Sequence, residues 1–175
     1  HGFPTSSVMF KNLMVALSDR FHLIAPDYPG FGFSAFPDKN SFDYTFKNIA
    51  EYVYKFIEEI KLKSFTIYLH DYGCPIGLRM CVNHAEKIER IIVQNGNAYE
   101  EGIGPQWDEI KDYWQNPSEE KKLKVSGFLS EEGTQRQYTA GLPNEMHENV
   151  SPELWVLDWN LMKRPGNIDM QFALN

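Results

Sequence analysis

The sequence predicts an α/β fold, with a mostly parallel sheet flanked by helices. Short, continuous apolar runs lie at 21–26, 65–70 and 90–95, and runs of this kind suit strands that are buried on both faces. Segments with helical periodicity separate these runs. Strands that alternate with helices in this order form parallel β-α-β units with right-handed crossovers.

A helix and a strand are the first elements predicted along the chain. Within residues 5–18, apolar side chains recur at helical spacing: Phe10, Leu13, Met14 and Leu17. This spacing predicts an amphipathic helix. The run FHLIAP at 21–26 follows it and predicts the first strand.

The second helix is predicted over residues 43–60, and Asp43 is a residue type that favours its N-cap. Apolar side chains recur there at steps of three and four: Phe46, Ile49, Ala50, Val53, Ile57 and Ile60. The run FTIYLH at 65–70 predicts the next strand. A third helix over 74–84 and a strand at RIIVQN, 90–95, complete this part of the chain.

The pattern changes from about residue 98. Residues 104–165 hold all four tryptophans of the chain, on segments with helical periodicity and without any strand run: Trp107, Trp114, Trp155 and Trp159. These segments could be further outer helices of the sheet, but a helical block of this length without a returning strand favours an inserted cap. We therefore assign residues 1–97 to a partial α/β core and residues 98–175 to an incomplete helical cap, or lid.

Composition and charge exclude several classes of function. The chain has 175 residues, of which 42% are hydrophobic and 23% charged, as in an ordinary globular domain. A net charge of −7 argues against a nucleic-acid partner, which needs clustered Lys and Arg. No run approaches the ~18 apolar residues of a membrane span. Cys74 and Cys81 match neither a zinc site nor a disulfide framework, so no metal or cofactor is predicted.

The chain begins at His1, inside a motif, and ends at Asn175 without a terminal signal. We therefore expect a piece that is truncated at both ends. The absence of a signal peptide then says nothing about targeting, and a cytoplasmic location is only the default expectation. The oligomeric state cannot be read from this sequence.

Three motifs follow one another: HGFPTSS at 1–7, APDYPGFGFS at 25–34 and HDYG at 70–73. The last has the form of a strand-to-helix elbow. In such an elbow a nucleophile, here Asp71, lies in a strained turn, and the glycine after it lets the next helix pack closely. Asp-x-Gly alone also fits an ordinary N-cap aspartate. The three motifs in this order are specific.

On these motifs the chain resembles the α/β-hydrolase superfamily, and within it the branch of epoxide hydrolases and haloalkane dehalogenases that use an aspartate nucleophile. The resemblance is close over residues 1–97 and extends to the cap only in character. It implies that residues 1–4 form an oxyanion loop and that Asp71 is the nucleophile. It also implies that the backbone N–H groups of Phe3 and Tyr72 form the oxyanion hole.

An aspartate offers chemistry that a serine does not, because a carboxylate is already anionic at neutral pH and can attack an sp³ carbon directly. Such an attack leaves an alkyl ester on Asp71, and in this family a histidine-activated water hydrolyses that ester. The family's histidine follows the last strand, and its acid follows either the strand after the nucleophile or the strand after the cap. Asn95 lies at the first of these acid positions. Histidine and acid are therefore both expected beyond residue 175, and the chain alone is expected to be inactive in turnover.

The five histidines of the chain are interpreted as structural: His1, His22, His70, His84 and His147. Epoxide hydrolases use a cap tyrosine to meet the epoxide oxygen, and here Tyr138 and Tyr113 are the candidates, with core packing as the alternative for each. The resemblance also implies a small apolar organic substrate. Its expected contacts come from the oxyanion loop and the cap: His1, Gly2, Pro4, Trp107 and Trp114.

Three functions stay open: epoxide hydrolysis to a diol, haloalkane dehalogenation, and ligand binding by a catalytically silent homologue. Dehalogenases bind the leaving halide through side-chain N–H donors next to the nucleophile and in the oxyanion loop or cap. Here those first two positions hold Tyr72 and Phe3, which favours an epoxide. The loop PTSS at 4–7 and a cap tryptophan such as Trp107 or Trp114 favour the dehalogenase.

Overall fold

The computed structural model describes residues 1–174 and contains a parallel pair of strands, β1 (Phe65–His70) and β2 (Ile88–Gln94). Helix α3 (Gly73–Asn83) connects the two strands. The ladder has one irregularity at its start and continues to the last residue of each strand. The β-α-β unit predicted for this part of the chain is confirmed.

The remaining helices lie before and after this unit. They are α1 (Lys11–Leu17), α2 (Phe46–Glu59), α4 (Asp108–Gln115), α5 (Glu119–Val125), α6 (Glu131–Thr139), α7 (Glu153–Met162) and α8 (Asn167–Ala173). Short 3-10 segments precede or follow several of them. Within residues 104–165 the structure contains helices and turns and no strand, as the sequence predicts. The boundary between core and cap stays a prediction, and residue 175, the last of the predicted cap, lies outside the described residues.

Helix α2 begins two residues later than the sequence suggests. Its N-cap is Thr45, whose Oγ1 accepts a hydrogen bond from the Asn48 N–H at 3.1 Å. The prediction of Asp43 as N-cap is therefore wrong, because Thr45 has the extended backbone and the hydroxyl that satisfy the first turn. The apolar face of α2 buries Ile49, Ala50 and Ile57, as its spacing predicts.

Two predicted features of the sheet are wrong. Residues 21–26 form no strand in the described structure, and Phe21 is 59% exposed. Strand β2 is likewise not buried on both faces, since all its residues after Ile88 are exposed. In residues 1–174 the sheet has two strands, so β2 pairs along one side alone. An apolar run indicates that its residues favour burial. It does not show which neighbouring element would bury them.

The predicted helix at 5–18 is shorter and less buried than expected. A 3-10 turn at Ser7–Phe10 leads into α1, and neither segment has a fully buried residue. The core lies elsewhere, where the loop at 28–44 meets α2, α3 and α8. Its members are Tyr28, Phe31, Phe42, Tyr44, Ile49, Ala50, Ile57, Ile76, Met80, Met170 and Leu174. This core packs against the turn that follows β1.

Two features are not found in the described part of the chain. No helix within residues 1–174 combines the length and the apolar character needed to cross a membrane. Over the same residues, no three His, Cys, Asp or Glu side chains come together in an arrangement that could hold a metal ion.

Candidate functional site

The turn between β1 and α3 places Asp71 in a left-handed backbone conformation, with φ of 49°. The Cys74 N–H closes this turn by donating to the Asp71 carbonyl at 2.8 Å. Gly73 is buried, and a Cβ there would lie 3.3 Å from the Tyr28 hydroxyl and 3.4 Å from the His1 carbonyl. The elbow predicted from HDYG is thus formed, with the aspartate at its tip.

The loop at 1–4, predicted to be the oxyanion loop, contacts this aspartate directly. The Phe3 N–H donates to Asp71 Oδ1 at 2.7 Å. Gly2 allows that approach, because a Cβ at this position would lie 2.5 Å from Asp71 Oδ1 and 2.8 Å from its Cγ. Pro4 follows through a cis peptide bond. Within the described residues the Tyr72 N–H, the other predicted donor, makes no hydrogen bond.

A second carboxylate, Asp27, holds the first two motifs together. Its Oδ1 accepts from the Ser7 N–H at 2.7 Å, and its Oδ2 accepts from the Phe33 N–H at 2.8 Å. Gly32, with φ of 51°, lets the loop close around this carboxylate. The sequence reasoning did not assign Asp27 a role, although its place in Asp-x-x-Gly-x-Gly marked it. Asp27 therefore ties the first loop to the second.

His1 has a defined tautomer. The Tyr28 N–H donates to His1 Nε2 at 3.1 Å, so that nitrogen must carry a lone pair. The proton is then on Nδ1, which lies 3.2 Å from the Gly2 carbonyl oxygen. The ring stacks on Tyr28 with centroids 4.0 Å apart. His1 is therefore occupied in supporting the loop, in agreement with its structural interpretation.

Three other histidines also have partners away from Asp71. His70 Nδ1 lies 3.1 Å from the Gln94 carbonyl, and His147 Nε2 lies 3.2 Å from the Leu142 carbonyl. His84 stacks on Tyr54. These contacts are consistent with structural roles, and none of them places an imidazole beside the aspartate.

Aromatic rings form an apolar wall around the contact between Phe3 and Asp71. The Phe3 ring lies 5.9 Å from that of Tyr72 and 5.5 Å from that of Phe128, which comes from the predicted cap. Tyr72 also contacts Phe46 at 5.1 Å. Burial, and then the charge of Asp71, raises the pKa of the Tyr72 phenol.

The two candidate cap tyrosines lie in different surroundings. Tyr138 hydrogen-bonds through its hydroxyl to Asp158 Oδ2, and its pKa is raised by burial first and by that bond second. Tyr113 packs edge-on against Phe172, at 5.7 Å. The structure therefore brings Tyr138 into a polar cluster, while Tyr113 makes an aromatic contact on α8.

The two predicted cap tryptophans lie together. The rings of Trp107 and Trp114 are 6.0 Å apart. Within the described residues, neither ring has a recorded contact with the oxyanion loop or with Asp71. At the end of β2, Asn95 has φ of 46°, and Gly96 packs so closely on Cys74 that a Cβ would overlap its sulfur. The Asn95 position thus lies near the elbow but carries no acid.

Comparison with known proteins places this geometry in a family. A family model described as the alpha/beta hydrolase fold matches residues 1–158. The uncharacterized hydrolase YNR064C of Saccharomyces cerevisiae is 36% identical over 178 residues, covering 99% of this chain and 60% of that protein. A haloalkane dehalogenase of Mycobacterium marinum is 36% identical over 97 residues, covering 55% of this chain and 32% of that protein.

Solved structures agree at the level of fold. The epoxide hydrolase CorEH superposes with a TM-score of 0.75 at 20% identity, covering 99% of this chain and 63% of that one. The chain spans 60% of the length of the yeast hydrolase. With the elbow, the oxyanion loop and the family match in agreement, the chain belongs to the alpha/beta hydrolase fold family.

Proposed function

We propose that this chain carries the nucleophile of an epoxide hydrolase that acts through a covalent alkyl ester on Asp71. The observation that carries the proposal is the 2.7 Å hydrogen bond from the Phe3 N–H to Asp71 Oδ1 at the tip of the left-handed elbow. It holds a carboxylate at the position where this fold presents its nucleophile.

The hydrogen bond divides the two carboxylate oxygens between two tasks. Oδ1 is held by the Phe3 N–H, so Oδ2 is the oxygen that attacks the substrate carbon. The C–O bond of the epoxide breaks as the Asp71 ester forms, and the substrate oxygen leaves as an alkoxide that takes a proton. The aromatic wall of Phe3 and Tyr72 excludes water from this step.

Hydrolysis of the ester uses the same donors. When water adds to the ester carbonyl, negative charge develops on an oxygen of Asp71 itself. The Phe3 N–H already lies at that oxygen, and the Tyr72 N–H is the second proposed donor. Each donor of this kind is worth about 10²–10³-fold in rate. The base that activates the water is proposed to lie outside residues 1–175, since the histidines with recorded contacts are occupied.

The preference for an epoxide rests on the side chains at positions 3 and 72. A leaving halide needs N–H donors, and neither Phe3 nor Tyr72 has one in its side chain. Each missing hydrogen bond to a charged group costs about 1.5–3 kcal/mol, or roughly ten- to a hundredfold in rate. An epoxide oxygen stays attached to the product and can instead take a proton from a cap tyrosine. Tyr138 is the proposed donor, because its hydroxyl lies in the polar cluster beside the oxyanion loop.

Haloalkane dehalogenation is the second candidate, favoured by the 36% identity to the Mycobacterium marinum enzyme over 97 residues. The two reactions are separated by assaying the full-length protein with styrene oxide and 1-bromobutane in parallel. We expect diol formation to be faster than bromide release. The opposite order would overturn the substrate assignment, while the shared covalent mechanism would stand.

The covalent mechanism has its own test. Multiple turnovers in ¹⁸O-water should place label in the Asp71 carboxylate, because water attacks the ester carbonyl and not the substrate carbon. Mass spectrometry of the peptide that contains Asp71 measures this label. Asp71→Ala should abolish turnover, whereas Asp19→Ala, at an exposed aspartate of the same chain, should not. Label confined to the product after many turnovers would exclude the ester.

A further inference from the structure

A buried polar cluster lies beside the oxyanion loop and joins it to the helices that follow. Asp158 of α7 is 1% exposed, and its Oδ2 accepts a hydrogen bond from the Tyr138 hydroxyl of α6. Asp158 Oδ1 and the Thr5 hydroxyl are both buried and have no hydrogen-bond partner within the described residues. Buried oxygens without partners are rare in folded proteins and call for an explanation.

The position of Thr5 links this cluster to the elbow. Thr5 lies two residues after Phe3, whose N–H holds Asp71. Its hydroxyl lies close enough to lower the pKa of both Tyr138 and Asp158, although it has no hydrogen-bond geometry to either. The phenol of Tyr138 is therefore held next to the loop that carries the oxyanion donor.

Asp158 is a buried aspartate whose surroundings, within the described residues, supply no compensating positive charge. Tyr138 faces it from α6 and is titratable, while Thr5 faces it from the loop and is not. Among the described residues, no Lys, Arg or His shifts the pKa of Asp158. Burial raises the pKa of Asp158, and the hydrogen bond from Tyr138 and the nearby Thr5 hydroxyl lower it by less. A buried carboxylate without a cation is costly, whereas a carboxylic acid can remain there as a hydrogen-bond donor.

The protonation of Asp158 decides what Tyr138 can do, because a phenol has one proton. With a carboxylate as partner, the phenol donates its proton to Asp158 and has none to offer a substrate. With a carboxylic acid as partner, the acid donates to the phenol oxygen instead. The phenol proton can then point toward another acceptor.

We propose that Asp158 is a positioning residue that holds Tyr138 beside the predicted oxyanion loop and directs the phenol proton toward the epoxide oxygen. This inference rests on the proposed epoxide hydrolysis. It extends that function by assigning the source of the proton that the alkoxide takes.

The proton balance of the relay is closed. As the Asp71 ester forms and the epoxide C–O bond breaks, the alkoxide takes the phenol proton and the phenol oxygen takes the Asp158 proton. Water then hydrolyses the ester, giving its oxygen to the Asp71 carboxyl and one proton to the second hydroxyl of the diol. Its other proton is released to solvent, from which Asp158 is reprotonated.

The test measures alkylation of Asp71 in a single turnover of the full-length protein with styrene oxide, quenched and analysed by mass spectrometry. This step needs no hydrolytic base, so its pH profile is free of that group. The wild-type rate should fall as pH rises through the pKa of Asp158. Tyr138→Phe should lose about 10²–10⁴-fold, the usual contribution of a general acid.

Two substitutions of Asp158 separate positioning from packing. Asp158→Asn should retain the low-pH rate and lose the fall at high pH, because an amide N–H can donate permanently to the phenol oxygen. Asp158→Ala should be about tenfold slower than the wild type at low pH, as expected for one hydrogen bond, and should also lose the fall at high pH. The matched controls Asp169→Asn and Tyr99→Phe change exposed residues and should match the wild type. An Asp158→Asn protein that keeps the fall at high pH would overturn the relay.

Two further readouts keep this inference distinct from the proposed function. A bromide leaves without a proton, so Tyr138→Phe and Asp158→Ala should slow alkylation by styrene oxide and spare alkylation by 1-bromobutane. Infrared spectroscopy should show a carboxylic-acid carbonyl band that fades over the pH range in which the alkylation rate falls and that is missing in Asp158→Asn. Absence of this band overturns the relay even if diol forms. If the band is present but no diol forms, the hydrogen-bond arrangement is supported and the assignment of an epoxide substrate is wrong.

Discussion

At the elbow, the residues that belong to a recognisable sequence motif could be predicted from the sequence. Asp71 and Phe3 were predicted as partners, and the structure brings them into contact at 2.7 Å. Asp27 and Asp158 were missed, because a carboxylate's role depends on which N–H groups and hydroxyls surround it in space. One signal for Asp27 was present, since it opens the Asp-x-x-Gly-x-Gly loop.

Gly2 gives a prediction at this scale. A methyl group in Gly2→Ala would come within 2.5 Å of Asp71 Oδ1, so the loop must move away and the Phe3 N–H must leave the carboxylate. We expect turnover of the full-length protein to fall about 10²–10³-fold, the value of one oxyanion donor. Steady-state kinetics measures the loss.

The control for this change is Gly127→Ala, where a Cβ meets no atom within 4 Å. It should have the activity of the wild type. A Gly2→Ala protein that turns over as fast as this control would show that the contact between Phe3 and Asp71 does not matter for the chemistry.

Asp158 gives a prediction about stability and pH. Its pKa is raised by burial in the folded protein, whereas in the unfolded chain an aspartate titrates near about 3.9. Between these two values the folded state holds more protons, so its stability falls as pH rises from about 4 through the folded pKa. Above that window the loss is constant.

Asp158→Asn removes this titration. As pH rises from about 4 through the folded pKa of Asp158, the unfolding free energy of the variant should therefore increase relative to that of the wild type. Above this range the difference should be constant. Urea unfolding from pH 4 to pH 8 measures it. Asp169→Asn, at an exposed residue, should show no such slope. A parallel pH dependence for Asp158→Asn and wild type would contradict the raised pKa.

Among the elements, those that depend on contacts close in sequence were predicted well. The β1–α3–β2 unit lies within about thirty residues, and its glycines and apolar runs determine it locally. The run at 21–26 has the same composition but forms no strand in the described residues, because a strand needs a partner that composition does not specify. Likewise, the N-cap of α2 depends on the backbone of Thr45 and not on the presence of an aspartate nearby.

The packing of α3 on β1 is tight enough to predict the effect of one methyl group. A Cβ at Gly77 would overlap the buried Leu69 side chain and lie 3.1 Å from Ile67 Cδ1. Alanine gains about 1 kcal/mol in helix propensity, but overpacking of a core costs about 1–3 kcal/mol. We expect Gly77→Ala to lower the urea midpoint and Gly127→Ala to leave it unchanged. A midpoint raised by Gly77→Ala would show that Leu69 repacks freely.

Over the whole molecule, the end of the described chain returns to its first loops. Asn167, 2% exposed, donates through Nδ2 to the Gly30 carbonyl at 2.7 Å, and Met170 and Leu174 join the core around Tyr28. This long-range contact was not predictable from sequence. Nothing in the local pattern of α8 indicates which loop its polar face will meet.

Asn167→Ala should therefore destabilise the protein by about 1–3 kcal/mol, since it leaves the buried Gly30 carbonyl without a donor. Thermal or urea unfolding measures this cost. Asn160→Ala is the control, because its amide is exposed and bonds within its own helix. Equal stability of the two variants would show that the contact with Gly30 is replaced by water.

The left-handed backbone at Asp71 has a consequence for how this chain can change over generations. A non-glycine residue in this conformation costs of the order of 1–3 kcal/mol, a large part of the roughly 5–15 kcal/mol that keeps a domain folded. Asp71→Gly should therefore fold more stably than the wild type and have no activity. Selection for heat resistance alone would therefore replace the aspartate. Its retention would mean that selection for the chemistry outweighs selection for stability at this position.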